Sequence, residues 1–438
     1  MAAAKKDFHV SVVGGGIGGL CTAIGLHRAG VPVHLFESAH QFAEIGAGIS
    51  IGPNSQNALI RLGLYDEFAK HAFIPSRNLY FQWRIGEGDD QRFLAETLCK
   101  EHGAASIHRA ELLDTLVRRL PKELVSFGKR LERIEQPTDA SDRQGKKVTL
   151  HFKDGSTHQT DIVIGCDGIH SHVRGALDPA KSGPSAVAGS DKLKWSGTWA
   201  YRGCIPRQRF EDAVGGEMGK FYARESQMFL GKDRHVLIFP IQGGDVVNIV
   251  AFRTDRSQWP KRPSLAPGEA WTQETTPEAM LADFEGWGKD ILNMLKCVDK
   301  PSKWALHQID PPLESYVNGR VIVSGDAAHG GTPHQGAMAG QAIEDALFFH
   351  HLFGHPSVNA SNVQAALGSI DAIRVPRGNE VMVKSLEVGD VYEFAGPLGD
   401  DLERLSKDLV ERWTYLWEYD FDAERAKLDD WLAQHGIA

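Results

Sequence analysis

Cysteine is scarce and unpatterned in this 438-residue chain. The five cysteines, Cys21, Cys99, Cys166, Cys204 and Cys297, are an odd number with no CxxC pair. That argues against a disulfide framework and predicts thiols in a reducing, cytoplasmic compartment. Long apolar runs are missing as well. No segment holds about 18 uninterrupted apolar residues, so no membrane span or membrane partner is expected. Gly14 halts the run Val10 to Val13 at once, which makes it a poor signal-peptide core. Positive charge is not in excess: 48 Lys and Arg stand against 57 Asp and Glu, a net charge of −9. This argues against a nucleic-acid partner, but a basic pocket could still take a small anion. There is no HExxH and no Cys/His ligand spacing, so no metal is expected.

What is present suffices for a large core: 42% of residues are hydrophobic and 24% charged. The length suggests two or three domains. Residues 8–13 read as a strand, the stretch from Leu20 to Arg28 as a helix, and VPVHLFE as a second strand, together a βαβ unit. Residues 105–120 read as an amphipathic helix, and residues 147–153 and 160–165 as strands. From about 185 the pattern changes. Strand-like segments at 198–205, 219–223, 227–230, 235–241 and 246–253 predict an antiparallel sheet. Residues 256–277 read as loop and 277–295 as helical; RVIVSGD at 320–326 is a buried strand, followed by a helix from Met338 to Phe353. The last 60 or so residues are expected to be helical, with Trp413, Trp417 and Trp431 as packing groups.

Between the first strand and helix lies Gly14-Gly15-Gly16-Ile17-Gly18-Gly19. Glycines at 14, 16 and 19 fit GxGxxG. Gly14 permits a tight turn, Gly16 lets backbone approach a pyrophosphate, and Gly19 lets helix and strand lie close. Free N–H groups at the helix start favour the phosphates. Glu37 ends the next strand, about 20 residues on, where a carboxylate accepts both ribose hydroxyls of an adenosine and repels a 2′-phosphate. The bound dinucleotide is therefore not NADP. No second GxGxxG follows, so a pyridine nucleotide has no domain of its own. Asp326 closes a buried strand beside Gly325, the end where open α/β sheets bind ligands. Asp167-Gly168 closes another, and Arg109 opens a helix.

Taken together, GGGIGG, Glu37, EIGAGI at 44–49, HRAELL at 108–113, DIVIGCDG at 161–168 and GDAAH…PHQGAMAGQAIEDA resemble the single-component flavoprotein aromatic hydroxylases, the group with the para-hydroxybenzoate hydroxylase fold. The likeness runs from residue 8 to about 395. The run from Pro333 to Ala346 is most similar to the fungal salicylate hydroxylases. Met338 and the spacer Gly330-Gly331-Thr332 depart from the usual pattern.

This resemblance implies an α/β FAD-binding Rossmann-like domain with an inserted α+β antiparallel-sheet substrate domain and a C-terminal helical segment. The expected boundaries are 1–184 and 286–355 for the FAD-binding domain, 185–285 for the substrate domain and 356–438 for the helical segment. FAD is the implied cofactor, with NADH or NADPH as transient co-substrate and O2 and a small aromatic as substrates, in a monomer or homodimer. Gly14, Gly16 and Gly19 would meet the pyrophosphate, and Glu37 and Arg109 the adenosine and ribityl ends. Asp326 would hold the ribityl chain, and backbone around Gly46, Ala47, Gly48, Gly336, Ala339 and Gly340 would flank the flavin. The helix after Gly336 would aim N–H groups at its anionic edge. The implied chemistry is decarboxylative hydroxylation of salicylate to catechol through a C4a-hydroperoxyflavin. Another phenol or heteroaromatic acid stays open, as does a reductase or oxidase without hydroxylation. Such a substrate needs a base for its phenol and a cation for its carboxylate. His334 and His235 are the candidates for the base and for substrate contact. Arg256 or Arg253 is the candidate for the carboxylate; strand parity alone does not choose between them.

Overall fold

The computed structural model describes residues 5–42, 47–88, 91–137, 147–177, 192–266 and 268–437. Val10–Val13 is buried at every residue, as a strand covered on both faces must be. It pairs in parallel with Val33–Phe36 on one side and Ile162–Gly165 on the other. Val321–Val323 adds in parallel beside Ile162–Gly165, so the sheet is assembled from segments far apart in the chain. Val125–Ser126 and the antiparallel Val317–Asn318 close its two edges. The helix Ile17–Arg28 packs against the helix Met338–Gly354. Small residues allow the approach: a Cβ on Gly18 would stand 2.9 Å from that of Ala342.

The second sheet has eight strands and is larger than the segment 185–285 expected to build it. In spatial order they are Thr272–Glu274, Ser302–Ile309, Leu193–Pro206, Val246–Thr254, Arg234–Ile241, Gln227–Gly231, Leu79–Ile85 and Phe93–Leu98. Two strands thus come from the N-terminal part of the chain and one from beyond residue 285. Leu79–Ile85 joins in parallel, Gln82 opposite Gln227, so the sheet is mixed and not purely antiparallel. The reason is burial: Leu79, Tyr80, Phe81 and Trp83 all need cover, and only the large sheet and its packed helices supply it. The expected boundary at 184 and 185 lies outside the described residues.

The segment 219–223 was expected as a strand and is part of the helix Gly216–Tyr222. Gly219 lies against the neighbouring helix Arg207–Val214, where a Cβ would come within 2.6 Å of the Glu211 carbonyl. The apolar Phe221 and Tyr222 therefore reach the core from a helix. Likewise, 105–120 is a strand, Ala105–His108, followed by a helix, Arg109–Val117.

The two faces of the large sheet do different work. Val236, Ile238, Ile249, Ala251 and Tyr201 pack outward against helices such as Lys289–Lys296. His235, Leu237, Phe239, Val250 and Phe252 point inward, toward the first domain and the C-terminal helices. Of those helices, Gly368–Tyr392 is 25 residues long and Phe421–Gln434 is 14. Trp413 is buried and stacks on Trp83 with centroids 6.0 Å apart, so this tryptophan is packing, as expected. A buried charge network ties the helices together. Arg374 pairs with Glu344, Asp345 and Glu424, and Arg377 with Glu344. Removing one partner from such a network costs about 3–5 kcal/mol, because the others stay buried and charged. Among the described residues, no helix is long and apolar enough to cross a membrane.

Candidate active site

The glycine-rich turn divides its labour. Gly14 sits at φ +102°, and a Cβ there would come within 2.4 Å of the Cys166 carbonyl oxygen. A Cβ on Gly19 would overlap the Gly14 carbonyl. These two are glycines for geometry, one for the turn and one for helix-strand contact. Gly16 differs: among the described residues nothing lies within 4 Å of where its Cβ would be. It borders open space at the start of Ile17–Arg28, a helix with no side-chain cap and no acid in its first turn. An uncapped helix start beside an open glycine is what a pyrophosphate requires. Glu37 accepts N–H bonds from Gly15 and Ala39, both 2.7 Å, which holds its carboxylate at the turn.

Asp326 opens the short helix Asp326–His329 at the end of Val321–Val323. It is exposed among buried neighbours and makes no hydrogen bond or ion pair among the described residues. Its carboxylate is therefore available to hydroxyls. Asp167 is different: it accepts from Ser171, His172 and Val173, so it is a structural turn acid.

Arg109 starts its helix with its N–H on the Ala47 carbonyl, 3.0 Å away. Gly48 pairs with His108 and donates to Asn248 on the large sheet. Lacking a Cβ, Gly48 lets Phe239 and Asn248 close in, with contacts that a Cβ would shorten to 2.8–2.9 Å. Gly46 lies outside the described residues. Arg202 and Tyr201, adjacent in sequence, face opposite ways. Tyr201 bonds Asp283 on the outer face, while Arg202 rests on the Trp304 ring, 5.3 Å away. Burial and the neighbouring Arg109 pull the Arg202 guanidinium below its usual pKa. An anion at this place would relieve that cost.

Before the helix Met338–Gly354 runs the loop His334-Gln335-Gly336. Gly336 adopts φ +63°, a left-handed turn near Ser50. The helix has no side-chain cap and no acid in its first turn. Ala339 is half-buried; Gly340 is a glycine for packing, since a Cβ would fall 2.0 Å from Ser55 Oγ. The open Gly16, the two uncapped helix starts and the unpaired Asp326 fit a flavin dinucleotide.

His334 and His235 come together on the inner face of the sheet. Their ring centroids are 5.1 Å apart, and both residues are buried. Phe252 stacks on His235 at 4.1 Å. Tyr392 donates its hydroxyl to the His334 carbonyl. His235 Nε2 and His334 Nδ1 are buried and have no hydrogen-bond partner among the described residues. Burial, then the neighbouring His235, Arg262 and Arg256, hold the His334 imidazole well below its usual pKa, so the ring is neutral and keeps one nitrogen lone pair.

Arg256, expected at the substrate carboxylate, lies near the pair with its guanidinium already matched by acids. Asp233, Asp390 and Glu393 surround its guanidinium at 2.6–2.9 Å, because the residue lies past the strand end and turns back onto the helix Gly368–Tyr392. Arg253 points to the outer face and pairs with Asp283. Sequence reasoning missed Glu393, which bonds His235 Nδ1 at 2.9 Å. No local signal could have found it, since 158 positions separate the two.

A dinucleotide turn, a strand-end carboxylate and a mixed sheet laid over the uncapped flavin-side helix define the architecture of the flavin-dependent monooxygenases. The model of the FAD binding domain matches residues 7–201. Salicylate hydroxylase from Pseudomonas putida is 37% identical over 429 residues, 97% of this chain and 95% of that one. The 6-methylsalicylate 1-monooxygenase of Aspergillus terreus is 36% identical over 430 residues, 95% of this chain and 90% of its own. The solved salicylate hydroxylase substrate complex matches with a TM-score of 0.84 at 35% identity, covering 97% and 98% of the two chains. The chain belongs to the family of FAD-dependent aromatic hydroxylases that includes salicylate hydroxylase. It is an FAD-dependent monooxygenase, with FAD as cofactor and NADH or NADPH as co-substrate.

Proposed function

We propose that this enzyme hydroxylates salicylate, or a close ring-substituted salicylate, at the carbon bearing the carboxylate. One oxygen atom of O2 enters the ring, carbon dioxide leaves, and a catechol forms; the second oxygen atom becomes water at the expense of NADH or NADPH. The observation that carries this reading is the buried pair His235 and His334, each with an unpartnered nitrogen on the inner face of the sheet. A phenol becomes a better carbon nucleophile as it loses its proton, and a neutral imidazole can take that proton.

In this reading Glu37, Arg109, Asp326 and the starts of the helices Ile17–Arg28 and Met338–Gly354 hold FAD. Bound there, FAD supplies the activation of oxygen by the electrons of the pyridine nucleotide. Leu237, Phe239, Val250 and Phe252 wall the ring of the substrate and exclude water. His334 and His235 face the phenol as a pair, and one of them takes its single proton. Arg202, the cation of the same sheet face, replaces Arg256 as the group that attracts the anionic substrate. A cytoplasmic location and a monomeric or homodimeric state complete the reading, with five free thiols in support of the former.

The test is a screen of hydroxybenzoates for stimulated NADH oxidation with product identification. Salicylate should give catechol and carbon dioxide in equal amounts. NADH oxidation that yields only hydrogen peroxide with every salicylate would overturn the proposal.

A further inference from the structure

Glu393 follows directly on the helix Gly368–Tyr392 and is 1% exposed. Its two oxygens face different partners. One lies 2.9 Å from His235 Nδ1, and the other accepts from Arg256 at 2.6 Å. Arg256 is itself fixed by Asp390 and Asp233. The Glu393 backbone carbonyl also accepts from the N–H of Asp233, at 3.3 Å, so the helix end is docked on the turn that leads into His235. Burial alone would favour the protonated acid, but His235 and Arg256 outweigh it and hold Glu393 below the usual carboxylate range.

An ionised carboxylate only accepts hydrogen bonds. His235 Nδ1 must therefore carry a hydrogen, and in the neutral imidazole this makes Nε2 the lone-pair nitrogen; Nε2 is buried with no hydrogen-bond partner among the described residues. We propose that Glu393 is a positioning residue for the hydroxylation: it fixes His235 in the Nδ1–H tautomer, so that Nε2 is the acceptor for the phenolic proton. The proposal rests on the reading above that places His235 at the substrate. It assigns Arg256 a purpose as well. A guanidinium only donates, so it keeps an oxygen of residue 393 turned toward itself.

That gives Glu393→Gln a definite outcome. Arg256 takes the amide oxygen, the amide NH2 donates to Nδ1, and the hydrogen of His235 moves to Nε2. A donor then stands where an acceptor is needed, as when a triad carboxylate is replaced by its amide.

The experiment uses the FAD-loaded enzyme with 15N-labelled histidine, and the His235 signals are assigned by their loss in His235→Gln. The parent should show Nδ1–H, and Glu393→Asp should keep it. Glu393→Gln should show Nε2–H and retain its FAD absorbance. Its KM for salicylate should stay within about twofold while kcat for catechol falls about 10²-fold and peroxide rises. An Nε2–H tautomer in the parent overturns the proposal, and so does parental kcat in Glu393→Gln. If Glu393→Gln does not fold, the parent and Glu393→Asp spectra still decide. The tautomers are read without substrate, so failure of salicylate turnover alone counts against the substrate reading and not against this one.

Discussion

The imidazoles of His235 and His334 approach to 5.1 Å between centroids, one from a strand of the large sheet and one from the loop before the flavin-side helix. Both residues are buried, and each keeps a buried nitrogen without a hydrogen-bond partner among the described residues. A satisfied core histidine would have used both.

His334→Ala should keep its FAD and still be reduced by NADH, because the residues proposed to hold the cofactor are others. Hydroxylation should fall by about 10²–10⁴-fold, the usual cost of a lost base. More of the NADH should end as hydrogen peroxide, measured against catechol by oxygen uptake with and without catalase. Parental rate and coupling would reduce His334 to a loop residue and leave the role to His235 or to solvent.

Glu37→Arg should leave a folded protein that loses its yellow colour on gel filtration. The substitution removes the acceptor of the Gly15 and Ala39 N–H groups and puts a cation at the ribose site. Flavin retained at the parental ratio would show that the carboxylate only shapes the turn.

Gly340→Ala should destabilise the protein by about 1–3 kcal/mol, the range for forcing an extra carbon into a packed contact. The added carbon meets Ser55 Oγ across the helix Pro53–Arg61. Adding Ser55→Gly should recover most of the loss in a urea melt; no recovery would place the strain elsewhere.

Stability should decline as pH falls from about 6.5 toward 4, for a reason that involves several histidines. His9 and His351 are each lowered to about 4, chiefly by burial, and His334 is lowered well below its usual value for the same reason. All three are neutral when folded, so unfolding takes up protons once the pH drops below the ordinary histidine value, and the unfolded state gains. Above pH 7 both states are neutral and the effect vanishes. Thermal midpoints should fall between pH 7 and 5, and His351→Asn should flatten the slope; an unchanged slope would exclude His351 as a source.

Much of the first domain was legible because its information is local. GxGxxG, the strand before it, the helix after it and Glu37 all lie within one βαβ unit, and hydrophobic periodicity marks each piece. RVIVSGD announced a buried strand for the same reason, although nothing local says which strand it pairs with. The helix Gly216–Tyr222 was misread because Phe221 and Tyr222 carry strand-like propensity, while the deciding fact, Gly219 against Glu211, is a contact between two helices.

By itself, then, the chain's text determined the dinucleotide turn, the acids at strand ends, the two candidate histidines and the change from βαβ units to a second sheet. Tertiary structure alone decided which of these meet. The sheet order brought Leu79–Ile85 next to Gln227–Gly231, and it turned Arg253 outward and Arg202 inward. It also paired Arg256 with Asp233, Asp390 and Glu393. The physical reason is that a charge or an imidazole acquires its role from the groups that replace its water on burial. Glu393 replaces it for His235 from the end of a helix 158 positions away, a distance over which no periodicity or spacing carries information.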